Sequence, residues 1–199
     1  MIDYPLTVLW TQTSLLEMIA VACGLASVWF MKKENILVYP LGIVNVLIYI
    51  FICYRSGLYA YSGINVFYAV MSGYGWVNWL RKDPHENQIH ISRLRISSAV
   101  LYAGLILIFF ISIWFLLRRY TDSRVPGWDG FTTAVYIVAM WLLAYKKIEH
   151  WFLWIAGDVI SVGLFAWLGL YLSAFQFLVF TVIAVLGFFE WRKKLADSN

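Results

Sequence analysis

Asp158 is a carboxylate set within an apolar run, Trp151-Phe152-Leu153-Trp154-Ile155-Ala156-Gly157-Asp158-Val159-Ile160. Spacings of four and seven put Asp158, Trp154 and Trp151 on one face of a helix. A charge at membrane depth is costly, so it turns toward a cavity or a partner. Two indoles beside a carboxylate suit an organic cation or a heteroaromatic ring, through stacking and cation–π attraction. The alternative is a helix–helix hydrogen bond with interfacial tryptophans, and Trp151 lies close enough to a segment end to be one.

Other polar residues repeat the theme. Asn45 sits in an apolar run at a depth close to that of Asp158, and Asn65, Tyr68 and Ser72 recur at spacings of three and four. Thr132 and Thr133 stand together early in a later run. Hydroxyls and carboxamides that converge in this way suit a hydroxylated solute such as a sugar, although the same groups also glue helices together. Glu17 and Asp129 fall near segment starts, where an acidic group complements a helix N-terminus or makes a gate contact. Cys23 and Cys53 lack His or Cys neighbours at ligand spacing and read as packed thiols. His85 and His90 lie in a hydrophilic loop and His150 in another, so no metal and no cofactor is expected. Nucleotide-binding and hydrolase motifs are missing, which argues against ATP hydrolysis.

The elements that position these residues follow from composition. Of 199 residues, 62% are hydrophobic, 19% aromatic and 13% charged, with mean hydropathy +0.75. An ordinary soluble domain is about 25% charged, and a chain this short has too little interior for so much apolar surface. A lipid bilayer is therefore the expected solvent, and the net charge of +4 belongs to loops rather than to nucleic-acid binding. Seven spans of about 20 residues are expected near 13–31, 36–54, 63–80, 97–117, 130–145, 151–168 and 174–191. Met1 to Gln12 lacks a basic start and a cleavage site, so the first span reads as a retained helix.

Seven spans would put Lys32, Lys33, Arg81, Lys82, Arg93, Arg95, Lys146, Lys147, Arg192, Lys193 and Lys194 on one side, against Arg55, Arg118, Arg119 and Arg124 on the other. That bias predicts a periplasmic N-terminus and a cytoplasmic C-terminus.

A shift of 112 residues aligns the chain with itself. Gly57-Leu58-Tyr59 meets Gly169-Leu170-Tyr171, Gly75 and Trp79 meet Gly187 and Trp191, and Glu17 meets Asp129. Lys32-Lys33 meets Lys146-Lys147 only with a two-residue slip. The reading is all-α: a 3+1+3 parallel repeat with a first bundle over 1–80, a loop and linker helix over 81–129, and a second bundle over 130–199. Transporters built this way place substrate between the halves near the midplane. Trp76, Trp79 and Trp191, just before basic residues, read as aromatic-belt anchors.

The run Glu149-His150-Trp151-Phe152-Leu153-Trp154-Ile155-Ala156-Gly157-Asp158-Val159-Ile160-Ser161-Val162, with Tyr39-Pro40-Leu41-Gly42, Tyr74-Gly75-Trp76 and the two Gly-Leu-Tyr segments, resembles the PnuC family of bacterial vitamin transporters. The resemblance covers nearly the whole chain. It implies a SWEET-like fold in the bacterial inner membrane and facilitated uptake of nicotinamide riboside, trapped by a cytoplasmic kinase, with a homotrimer as the implied assembly. Two positions depart from the common pattern: His150 where many relatives carry Asn, and Asp158 where some riboside carriers carry Asn. Thiamine, carried by related transporters, is the alternative substrate. In this reading Trp154 and Trp151 flank the ring, Asp158 balances its charge, and Asn45, Asn65, Ser72 and Thr133, with Tyr68 nearby, meet the ribose. A small lipid-modifying membrane enzyme would need clustered carboxylates or histidines at one face. A structural or sensory subunit would leave Asp158 and the repeat unexplained.

Overall fold

In the structure, a computed structural model, the described residues are 15–55, 59–81, 90–121, 123, 125–167, 169 and 171–197. They form seven helices: α1 Leu15–Lys32, α2 Val38–Arg55, α3 Tyr59–Leu80, α4 Ile96–Tyr120, α5 Pro126–Ala144, α6 His150–Trp167 and α7 Tyr171–Asp197. Five of them (α1, α4, α5, α6 and α7) are long and apolar enough to cross a bilayer, and α2 holds a shorter apolar stretch, Val38–Ile52. Residues 1–14, Gly57, Leu58 and Leu170 lie outside the described set, and with them most of the Gly-Leu-Tyr correspondence.

The three largest departures from the hydropathy reading are at the start of α5, the start of α3 and the end of α7. Pro126 opens α5 a turn before the apolar run, since proline at the first helical position gives up an N–H that would have no partner there. α3 begins earlier than its apolar stretch. α7 runs past its apolar stretch through Arg192, Lys193 and Lys194, good helix formers that need no lipid.

The packing divides three, one and three. α2 packs on α1 and α3, and α6 packs on α5 and α7. Among the described elements α4 packs on α5 alone, and its Val100, Leu101 and Leu107 stay more than half exposed, a face suited to lipid. The halves meet where α1 lies on α7 and α3 on α5, which is the same contact made twice.

The repeat is in strict register at that seam. Trp79 Nε1 donates to Leu143 O and Trp191 Nε1 to Met31 O, each at 3.1 Å. Both donors and both acceptors are 112 residues apart. The α1–α2 and α5–α6 loops obey the same shift, for Glu34 (φ 56°) and Lys146 (φ 48°) both adopt the left-handed conformation that non-glycine residues seldom hold. Lys146 therefore corresponds to Glu34, and the two-residue slip suggested by the paired lysines is corrected.

Those loop residues also bind each other. Lys146 Nζ is 2.8 Å from Glu34, and Lys194 Nζ is 3.1 Å from the same carboxylate. Lys146 is buried and lies over the Trp79 ring, which screens this pair less than one at an open surface. An extended strap crosses the same end: Ser92 N donates to Lys146 O and Ile148 N to Ser92 O.

Two sequence expectations are corrected here. Trp79 and Trp191 are not belt anchors, because both are buried in a cluster with Met31, Tyr39, Leu143 and Trp151 and their indole N–H groups cross the seam. His150 is not a loop residue. It opens α6, fully buried, with Nδ1 2.8 Å from Lys147 O and its ring against Trp151 and Trp191.

Candidate substrate-binding cavity

Between the halves lies a cavity of about 470 Å³, within the size range of small-molecule sites. Asp158 and Trp154 line it from α6, Asn45 from α2, and Asn65, Tyr68 and Ser72 from α3. Six of the residues singled out from sequence thus share one space. Four do not. Trp151 is fully buried away from the cavity, its ring wedged over Gly187 and against Trp191. Thr133, half-buried in α5, is absent from the lining. Glu17 and Asp129 occupy the first turns of α1 and α5, and Asp129 accepts from Ser123 Oγ at 2.6 Å.

The repeat shows how each wall is built. Asn65, Tyr68 and Ser72 of α3 correspond to Phe177, Phe180 and Ala184 of α7, and all six line the cavity. One half presents hydroxyls and carboxamides, while the equivalent surface of the other is aromatic and apolar. A similar exchange occurs one helix over. In the first half Asn45 of α2 packs on Gly24 of α1, and a Cβ on Gly24 would lie 2.9 Å from Asn45 Nδ2. In the second half the large residue comes from the other helix, with Tyr136 of α5 packed on Gly157 of α6.

Asp158 is 4% exposed, and Tyr136 donates to its Oδ1 at 2.9 Å. Tyr136 also stacks on Trp154, with ring centroids 5.1 Å apart and planes at 27°. Among the described lining residues Asp158 is the sole charged group. Asn45 braces its own half, Nδ2 donating to Ala20 O at 2.7 Å, and Ser27 Oγ does the same to Val38 O at 2.7 Å. Two donors, the Trp154 indole N–H and the Tyr39 hydroxyl, are buried without a hydrogen-bond partner among the described residues. Buried polar groups are normally satisfied, so the Trp154 N–H is suited to a guest that brings its own acceptor, whereas the Tyr39 hydroxyl is packed against Gly75, as Trp151 is against Gly187.

The sequence reading missed Tyr136, Tyr39, Phe177, Phe180 and Gln176. The signal for the two phenylalanines was available, since shifting Asn65 and Tyr68 by 112 lands on them. Tyr136 gave none, being one aromatic in an apolar helix. Among the described residues, no group of three or more His, Cys, Asp and Glu is placed to hold a metal ion.

A cavity with one buried carboxylate, a stacked Tyr–Trp pair and a facing polar wall is fitted to bind a small aromatic cation that carries hydroxyls. Residues 14–193 match the family described as nicotinamide mononucleotide transporter. The nicotinamide riboside transporter PnuC of Escherichia coli (strain K12) is 28% identical over 203 residues, covering 89% of this chain and 85% of that protein. The Neisseria mucosa protein of the same name is 24% identical over 192 residues, covering 90% and 73%. A crystal structure of the vitamin B3 transporter PnuC superposes with a TM-score of 0.75 at 23% identity, over 96% of this chain and 86% of that one, which shows the fold. The chain belongs to this transporter family, the PnuC family that the sequence resembles.

Proposed function

We propose that this protein takes up nicotinamide riboside across the bacterial inner membrane by facilitated diffusion. The observation that carries the reading is the asymmetric cavity. That cavity has Trp154, Tyr136 and Asp158 on the second half, which would take the pyridinium, and Asn65, Tyr68 and Ser72 on the first, which would take the ribose. The relatives named as riboside transporters support it.

The same wall speaks against a phosphorylated guest. Among the described lining residues there is a carboxylate and no Lys, Arg or His. A phosphate dianion in that space would lose its water, gain no cation and face a like charge. The riboside is the fitted form and the mononucleotide the excluded one. That exclusion gives uptake its direction: a cytoplasmic kinase that phosphorylates the riboside makes a product the cavity rejects. Rocking of one three-helix bundle against the other would expose the cavity to each side in turn.

Calorimetry on the purified protein with nicotinamide riboside, nicotinamide mononucleotide and thiamine in parallel tests the substrate. The riboside is expected to bind, and the mononucleotide about a hundredfold more weakly. Tighter binding of the mononucleotide would overturn the reading. Thiamine, also a cationic heteroaromatic, shares the Asp158 and Trp154 contacts but lacks a ribose for the α3 wall, so tighter thiamine binding would reassign the substrate.

A further inference from the structure

Tyr136 reaches the cavity from α5, whereas the ligand-facing Trp154 and Asp158 belong to α6. Its hydroxyl is 2.9 Å from Asp158 Oδ1 and 3.1 Å from Ser161 Oγ, one turn along α6. A tyrosine has a single O–H proton. With that proton donated to the Asp158 carboxylate, Ser161 donates to the Tyr136 oxygen, and the phenol is held at both lone pair and proton. The ring lies on the Trp154 indole. Gly157, between those two α6 residues, leaves the space that the ring fills, and a Cβ there would collide with it. A run of α6 is thus shaped around one α5 side chain.

We propose that Tyr136 is a positioning residue that sets the preference for cationic over neutral ligands. Its hydrogen bond holds Asp158 Oδ1 toward α5 and leaves Oδ2 to the ligand, while its ring extends the π wall that Trp154 begins. Since Asp158 is the sole charged group among the described lining residues, the electrostatic preference of the cavity depends on where that one carboxylate points. The inference rests on the riboside reading above. It goes further in giving the charge preference to a residue that makes no ion pair with the substrate.

Tyr136→Phe keeps the ring and the stack and removes only the hydroxyl. Two probes separate charge from shape: nicotinamide riboside, a cation, and its 1,4-dihydro form, which is neutral with the same ribose and carboxamide. By calorimetry on the full chain, Tyr136→Phe should weaken the cation about tenfold and change the neutral form by less than about twofold. In an Asp158→Asn background the substitution should have no further effect on the cation, because Tyr136 acts through that carboxylate. Equal weakening of both probes, or a full additional loss in the Asp158→Asn background, would overturn the proposal. Failure of the wild-type protein to bind the riboside would instead overturn the substrate reading, so the two failures are distinct. Should Tyr136→Phe not fold, Ser161→Ala removes the donor behind the phenol, and a smaller loss confined to the cation is expected. No loss, or loss with both probes, would count against the proposal.

Discussion

Asp158 is buried, and among the described residues its hydrogen-bond donor is a single phenol, an incomplete shell for a carboxylate and one that a cationic guest would complete. Asp158→Asn preserves shape but removes the charge, and riboside affinity should fall about ten- to hundredfold, roughly 1–3 kcal/mol. Trp154→Ala removes the stacking wall and an N–H with no partner among the described residues, so a similar loss is expected. Trp151→Phe, by contrast, should leave affinity nearly intact and lower the thermal midpoint, since Trp151 packs under Gly187 and away from the cavity. Titration of the three purified variants, with a melt of each, checks the division. Asp158 and Trp154 were legible because a carboxylate and an indole four apart in an apolar run have few other uses. Trp151 shares their face on a helical wheel, and a wheel does not say how far along its axis a cavity extends. Tyr136 was hidden for the opposite reason: its role comes from Gly157 on the neighbouring helix, a contact between residues twenty-one apart that no local pattern encodes.

The helix ends at the seam carry what hydropathy could not show. Tryptophans before lysines look the same in sequence whether they face lipid headgroups or another helix, and only the pairing of α3 with α5 and of α1 with α7 decides between them. Trp79→Phe and Trp191→Phe should each cost about 1–3 kcal/mol, because each removes the indole bond to a carbonyl, Leu143 O or Met31 O, that keeps only its loop donor, Lys146 N or Glu34 N, and each leaves a gap in a packed cluster. Repeat equivalence makes the two losses similar in size, and unfolding of the detergent-solubilised variants measures them. Glu34→Gln strips the anion from both Lys146 and Lys194. Buried Lys146 then loses its carboxylate and retains the Trp79 ring beside its ammonium, and a larger loss than for either tryptophan is expected, about 3 kcal/mol or more. A smaller loss for Glu34→Gln than for Trp79→Phe would show that the ion pair is well hydrated.

At the scale of the whole molecule, the placement of Lys and Arg makes the orientation testable. A reporter fused after Asn199 should read from the cytoplasm, and one inserted near Asp122 from the periplasm, given eleven basic residues on one side against four on the other. Both reporting from one side would contradict an odd number of spans. In liposomes the purified protein should equilibrate labelled riboside without concentrating it, and should accumulate label once a riboside kinase and ATP are enclosed. Uphill uptake driven by an imposed ion gradient alone would contradict facilitated diffusion. The three-one-three plan was readable because duplication leaves matched landmarks at a constant shift. The exact register was not, because Lys32-Lys33 mimics Lys146-Lys147 and the true mate of Lys146 is an acid of opposite charge.

The two bonds Trp79 to Leu143 and Trp191 to Met31 have one more consequence. A surface that donates and accepts the same bond across a two-fold axis is complementary to itself, as in an isologous dimer. Each half therefore carries, in one sequence, both sides of the contact it makes. Two separate copies of a three-helix unit with this surface would close the same seam unaided, and α4 would then be needed only to return the chain to its starting side of the membrane. Fusion would also release the copies from sameness. One wall was free to become polar and the other aromatic, so that a symmetric frame encloses an asymmetric cavity.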